Sequence, residues 1–430
     1  RSSDLLALLI LVPAMNIFAD GSLNLYPSGK EGRRAFLRSS MLTSANWPFP
    51  NLGTHYVYAK AGERITVASS MQGVGTSGNN NKRIRLYSPT GEQITLDFTN
   101  GGNIENRTQE VSGPRRFGVT SGAGYTPAYY QVPLGGDGVY RVEFISTYTG
   151  SNSQSGISSS INADDNWSQS PNTNNTVTIA AWDVSVIDTG NTAFIPGRVY
   201  TNVLNLSNGY SNPNTTGFYG LVYVRTKDGY TYRVNNNGNN GMYFTFFVNN
   251  NGFVDATSQL PIYKSLNTTS NLGNRVHNPN NADSGTHITH KMFYTLPATD
   301  LPATAPIAKT SNGGSNWTSG TTWLKASPIV PEVSTPLLKG VDGMVGQVSN
   351  KGGYIEFDAD VQGNFKIEII SEDTPAAFSA RTMTGQASAG SNRVLWDGKD
   401  GNGNSLPRGT FPVKVTVQLQ GAEVHFPFFD

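Results

Sequence analysis

The chain has 430 residues, of which 37% are hydrophobic and only 14% charged, with 31 basic residues against 30 acidic ones. A net charge of +1 builds no large positive field, so nucleic acid is excluded as an expected partner. The absence of cysteine removes disulfide frameworks, thiolate zinc sites and cysteine nucleophiles together. Low charge with many Asn, Ser, Thr and Gly suits turns and solvated strand faces, and the length suggests about three domains.

The chain opens on an apolar run over 5–18 (LLALLILVPAMNIF), of signal-peptide length and shorter than the roughly 20 residues of a membrane-spanning helix. Ala19 sits where a small residue precedes cleavage. Residues 1–19 are therefore expected to be an export signal without its true start, and the protein is expected at the cell surface or outside the cell. Helical periodicity is nearly absent, apart from a turn or two over 30–41. Elsewhere the period is two. Strands are expected near 55–70, 83–97, 137–147 and 176–187, the last set apart by a polar stretch over 151–175.

A second β-rich unit is expected over 191–326, where Asp228-Gly229 marks a two-residue hairpin turn. Pro328, Pro331 and Pro336 suggest a semi-stiff linker over 327–336. A third unit fills 337–430. In it Ile355, Phe357, Ala359 and Val361 alternate with Glu356, Asp358 and Asp360, and Val413, Val415, Val417 and Leu419 alternate with polar residues. The expected fold is all-β, a tandem of β-sandwich domains: a first jelly-roll-like sandwich over 20–190, then the second unit over 191–326 and an Ig-like sandwich over 337–430, the last expected to be cut short at its end because its alternating text runs to Asp430.

Candidate chemistry is sparse. Gly73, Gly75 and Gly78 match G-x-G-x-x-G, but a strand follows where the phosphate mechanism needs a helix, so a hairpin loop is expected. His287 and His290 stand three apart; on a strand they face opposite ways, so surface histidines are expected. Glu356, Asp358 and Asp360 share one strand face and read as a wet edge in preference to a paired-carboxylate site. Asp164 and Asp165 beside Trp167 fall in the polar stretch and read as loop. Asp397, Asp400, Asn402 and Asn404 supply oxygens suited to Ca²⁺, although Ser405 and Phe411 stand where a calcium loop of the helix–loop–helix type wants Gly and a bidentate acid. Trp396 reads as a core anchor. No catalytic residue and no other cofactor is expected. Exposed aromatics suited to stacking on a ligand are expected at Tyr129, Tyr130, Trp167 and Trp317.

The run over 394–404 (VLWDGKDGNGN) followed by 406–411 (LPRGTF), with 363–369 (GNFKIEI) before it, resembles the Ig-like domain of flagellar hook-capping proteins. That resemblance implies a non-catalytic module whose Trp396 packs inward above a structural turn. The text at 194–200 (FIPGRVY), 227–230 (KDGY) and 423–430 (EVHFPFFD) is similar to very large exported surface proteins of gliding-type Gram-negative bacteria. This implies an export machinery and the outer membrane surface as partners, and further modules downstream. The first unit, at 56–67 and 84–91, resembles jelly-roll modules of carbohydrate-binding or prepeptidase-associated type. Together these imply an adhesin-like surface protein without catalysis, touching an extracellular glycan or protein. The alternatives are the accessory region of a secreted enzyme and a sandwich lectin in the first unit.

Overall fold

A computed structural model describes residues 20–429, except 40–48, 50–51, 76–82, 147–160, 170–177, 209–216, 240–242, 265, 267–271, 285–286, 311–316, 328–329 and 421–423. The apolar run over 5–18 and most of the polar stretch over 151–175 lie outside the described residues. The fold is all-β and antiparallel throughout its named sheets, as expected. The chain divides into two units. The larger comprises residues up to Arg225, Thr231–Lys325 and Phe426–Asp430; the smaller comprises Thr226–Tyr230 and Ala326–His425.

Three expectations about boundaries change. Residue 190 separates nothing. Strand Val199–Thr201 pairs with Thr54–Ala59, and Leu204–Ser207 pairs with Phe36–Arg38, so strands from both sides of residue 190 complete the same sheets. Pairing across a long sequence separation leaves no mark in local composition, which is why the break looked real. The segment over 327–336 is also more than a linker. From Glu332 on it is stitched to the smaller unit: the Ser334 amide donates to the Asp358 carbonyl (2.9 Å) and the Glu332 amide to the Asp360 carboxylate (2.9 Å). Finally, Phe428–Phe429 does not extend the last sandwich but pairs with Tyr243–Phe246 in the larger unit. The helical turn over 30–41 is replaced by the strand Phe36–Arg38.

The larger unit carries an eight-stranded sheet, a five-stranded sheet and a four-stranded sheet. The four-stranded sheet orders Asp20–Gly21, Trp182–Ile187, Arg64–Ser69 and Ala128–Gln131. Trp182–Ile187 is buried along its whole length, so its side chains are covered on both faces. Its core also holds charge. Glu110 comes from the short helix Arg107–Ser112, whose Asn106 side chain caps the Gln109 amide. The Glu110 carboxylate accepts from the Arg34 guanidinium (2.5 Å), Arg107 (2.8 Å), the Ser22 hydroxyl (2.5 Å) and the Trp167 indole (2.9 Å). Four donors on two oxygens satisfy a buried carboxylate that would otherwise be costly. Burial pushes its pKa up, but Arg34 and Arg107 more than offset this and hold it below the usual range.

The smaller unit has two three-stranded sheets: Leu337–Gly340, Gly353–Ala359 and Gly390–Trp396 in one, and Arg381–Ala387, Gly363–Ser371 and Val413–Gln420 in the other. The period-two text meets its expectation over 355–360, whereas Val361 is only half-buried and Val413, expected on a buried face, is exposed. Ile355, Phe357 and Ala359 face Ile367, Ile369 and Trp396 in one core, while Glu356, Asp358 and Asp360 face water.

Candidate functional site

A surface that joins an exposed aromatic to cationic side chains sits at the edge of the four-stranded sheet. There Arg64 pairs with Gln131 and Thr66 with Tyr129. Period two puts Arg64, Thr66, Tyr129 and Gln131 on one face and turns Tyr130 to the other. Tyr130 accordingly packs against Tyr140 at 5.7 Å. On the first face, where Thr66 is buried, Phe117 meets Tyr129 edge-on at 5.2 Å, and the Arg64 guanidinium lies over the Phe117 ring at 4.7 Å. Phe117 is 49% exposed and Val119 39%.

Two loops lock this surface. The Tyr129 hydroxyl donates to the Arg115 carbonyl at 2.8 Å, and burial pushes its pKa up to about 12, so it stays a donor. Arg115 reaches the Thr126 hydroxyl (3.2 Å) and the Gly122 carbonyl, closing its own loop. Arg116 crosses to the neighbouring turn and donates to the carbonyls of Asn191 (3.1 Å) and Thr192 (2.9 Å). Asn191 returns the contact, its amide donating to the Phe117 carbonyl at 2.9 Å. Asn191 holds φ at 57°, a left-handed conformation that Asn tolerates better than most residues. The Asp188 carboxylate accepts from the Thr192 amide and hydroxyl, which with Arg116 nearby hold its pKa below the usual range. Exposed aromatics on a pinned frame are the arrangement that contact surfaces use, because ordering costs are already met.

Of the aromatics expected to stack on a ligand, Tyr129 belongs to this surface and Tyr130 does not. Trp167 is a correction: it is 5% exposed, its indole is bound to Glu110, and its ring lies under the Arg34 guanidinium at 5.4 Å. A tryptophan in polar text is a core residue here because a buried carboxylate needs its N–H. Trp317 starts the strand Trp317–Trp323, and its side chain lies outside the described residues. Asp164 is not a loose loop residue; it accepts from Arg107 (2.8 Å) and from the Gly29 amide (2.7 Å). Gly75 takes a φ of 74°, Val74 is exposed, and Thr76, Ser77 and Gly78 of the G-x-G-x-x-G run lie outside the described residues.

The turn over 397–404 is closed on itself. Asp400 Oδ1 accepts from the Asn402 amide (3.0 Å) and the Asn404 amide (2.8 Å). Asp397 pairs with Arg381 (3.3 Å), and the Asn402 side chain donates to Ser379 (2.8 Å). The Trp396 indole donates to the Lys399 carbonyl at 2.9 Å and its ring is buried. Among the described residues no group of three or more His, Asp or Glu side chains is placed to hold a metal ion. On the wet face of the smaller unit, a depression of about 480 Å³ is lined in part by Glu356, Asp358 and Arg393. Glu356 is paired with Lys339 (2.5 Å) and Arg393 (3.4 Å), and Asp358 accepts from Ser391 (2.5 Å).

A second concentration of titratable groups was missed. His277, His287 and His290 are three of the chain's five histidines, and Asp283 and Lys291 fall within the same 15 residues. The His277 and His287 rings stack at 5.2 Å with 1° between planes. His290, expected on the surface, is fully buried against Trp323. Lys291 is buried too, with its ammonium 3.8 Å from the Trp323 ring. Asp283 accepts from the Trp323 indole (2.9 Å) and the Thr289 amide (3.0 Å). Burial pushes the Asp283 pKa up, but Lys309 and Lys291 hold it below the usual range. Burial lowers the pKa of both stacked histidines, and for His277 the neighbouring His287 lowers it further. The density of His, Asp and Lys over 277–291 was a readable signal; the partners Lys309, buried, and Trp323, half-buried, came from a hairpin further along and were not.

No protein-family model matches the chain, and no curated protein sequence does. Among solved structures, a DUF4785 family protein from Legionella pneumophila aligns over 82% of this chain and 77% of its own at 10% identity, with a TM-score of 0.15. A likeness of that size carries no argument about fold or function.

Proposed function

We propose that the chain is a non-catalytic, exported cell-surface protein of adhesin type, whose β units hold out binding loops. The observation that carries this reading is the Phe117–Tyr129–Arg64 surface, kept rigid by the exchange of hydrogen bonds between Arg116 and Asn191. Antiparallel sandwiches suit display, because their backbone hydrogen bonds are internal and their loops gather at the ends. The buried charges support the same reading. Glu110, Arg34 and Arg107 are closed into a core network, which strengthens the scaffold and leaves contact to the loops. The apolar run over 5–18 supplies the export signal in this reading.

The test is labelling of intact source cells with an antibody raised against the larger unit. Labelling before lysis is the expected result. Signal that appears only after the cells are broken open would sink the surface assignment.

A further inference from the structure

We infer that the Arg64–Phe117–Tyr129 surface binds a carboxylate-bearing polysaccharide, taking a hexuronate unit with its carboxylate on Arg64 and its sugar ring against Phe117. The inference rests on the contact-surface reading above and names the ligand class of that surface.

Three arginines meet there and they differ in what their donors do. Arg115 donates to Gly122, Ala123 and Thr126, and Arg116 to Asn191 and Thr192. Those two are the frame. Arg64 is different: its guanidinium carbon lies over the Phe117 ring, 4.7 Å from the centroid, and among the described residues its guanidinium donates to no acceptor of the chain. A guanidinium stacked on a ring keeps its planar fork of N–H groups facing outward, the geometry that recognises a carboxylate by two parallel hydrogen bonds. The ring that holds it fixes its orientation in advance.

Charge points the same way. Asp188, beside this frame, is engaged by Thr192 and faces Arg116, so its one carboxylate is set against the three guanidinium groups of Arg64, Arg115 and Arg116. On the same face the Gln131 amide nitrogen donates to the Gly62 carbonyl (2.6 Å) and the Glu63 carbonyl (3.3 Å). That fixes the side chain and leaves its amide oxygen as an acceptor for a sugar hydroxyl.

A hexuronate combines what these groups ask for. It carries a carboxylate, an apolar C–H face that packs on an aromatic ring, and hydroxyls, all on one rigid ring. An aspartate or glutamate side chain supplies the carboxylate without the apolar ring face. The surface is small, so a single unit binds weakly, and a polymer with repeated carboxylates gains by multivalency.

The full chain is titrated calorimetrically with tetragalacturonate, with its fully methyl-esterified form and with tetraglutamate. The inference expects saturable binding of tetragalacturonate that weakens about tenfold or more on esterification and in Arg64→Gln, with the melting temperature unchanged. Phe117→Leu keeps the apolar volume but removes the flat ring, and is expected to weaken binding while leaving the fold intact. Arg64→Lys is expected not to restore affinity, since an ammonium lacks the planar fork. No saturable binding by the native chain, equal binding of the ester, or tetraglutamate binding as tightly as the sugar would each overturn the ligand class. None of those results touches the surface assignment, which the intact-cell labelling decides separately.

Discussion

The two units use charge in opposite ways. In the larger unit, Arg34, Arg107 and Glu110 lie under packed side chains, and each carboxylate oxygen of Glu110 meets two donors. In the smaller unit, Lys339, Arg393 and Glu356 make comparable contacts on an open sheet face, with Glu356 about 30% exposed at its side chain. The residue types match; the solvent does not. Water screens the second set and makes it nearly optional, whereas the first set exists only because its members neutralise one another. A buried ion network determines which partners a core must contain, and a surface one does not.

That comparison breaks most sharply at Glu110. Glu110→Gln leaves the buried Arg34 without a counter-charge and Arg107 with Asp164 alone. It is expected to cost about 3–5 kcal/mol of stability, read by urea unfolding. A loss below about 1 kcal/mol would show that the network is no more consequential than the exposed one.

In the smaller unit the corresponding anchor is apolar. Trp396→Phe removes the indole bond to the Lys399 carbonyl and part of the core volume, with an expected loss of about 2 kcal/mol by the same measurement. Normal stability in that variant would reduce the turn over 397–404 to decoration.

The larger unit should also show a pH dependence set by its buried carboxylates and histidines. Burial pushes Asp20 up to about 7 and Asp183 up to about 8. A folded-state pKa raised above the unfolded value near 3.8 gives stability that is complete below that value and is lost as pH rises through the folded pKa. Between pH 6.5 and 8.5 the two carboxylates are expected to withdraw on the order of 1–2 kcal/mol, and Asp183→Asn should flatten the slope. The histidines run the other way. His55 is buried and pushed down to about 4, and His277 and His287 are also lowered, so their contribution is present above about 6.5 and lost as pH falls below it. Urea midpoints across pH 5–8.5 separate the two: a monotonic curve would contradict one set or the other.

The smallest effect belongs to the wet face. Glu356→Gln is expected to change stability by less than about 1 kcal/mol, and raised salt should shrink even that. A larger loss would mean that the exposed sheet face of the smaller unit is covered by something in solution.

Much of the secondary structure was legible because its causes are local. Asp228-Gly229 turns the hairpin between Leu221–Arg225 and Thr231–Asn235, with Gly229 at a φ of 90°, where a side chain is strained. Residues 353–359 bury every second side chain, as their alternation requires. The site was legible only in fragments. Tyr129 was visible as an exposed aromatic, though not as part of the strand Ala128–Gln131, and Phe117 reads as one residue of a Gly-rich loop until Arg64 and Tyr129 are seen beside it. Glu110 looks like any solvated helix glutamate; what buries it are Ser22, Arg34 and Trp167, between 57 and 88 residues away. Non-local partners decide burial, and a single sequence does not display them.

The return of the chain into the larger unit also sets how the molecule carries load. The stretch Ala326–His425 belongs to the smaller unit, the chain on either side of it belongs to the larger, and the returning segment is held by two residue pairs, Thr245 with Phe429 and Phe246 with Phe428. Tension drawn between residue 20 and residue 429 therefore passes through the larger unit alone while those pairs hold. The inserted sandwich bears no pull until this short clasp opens, and from then on it is extended as a separate link in series.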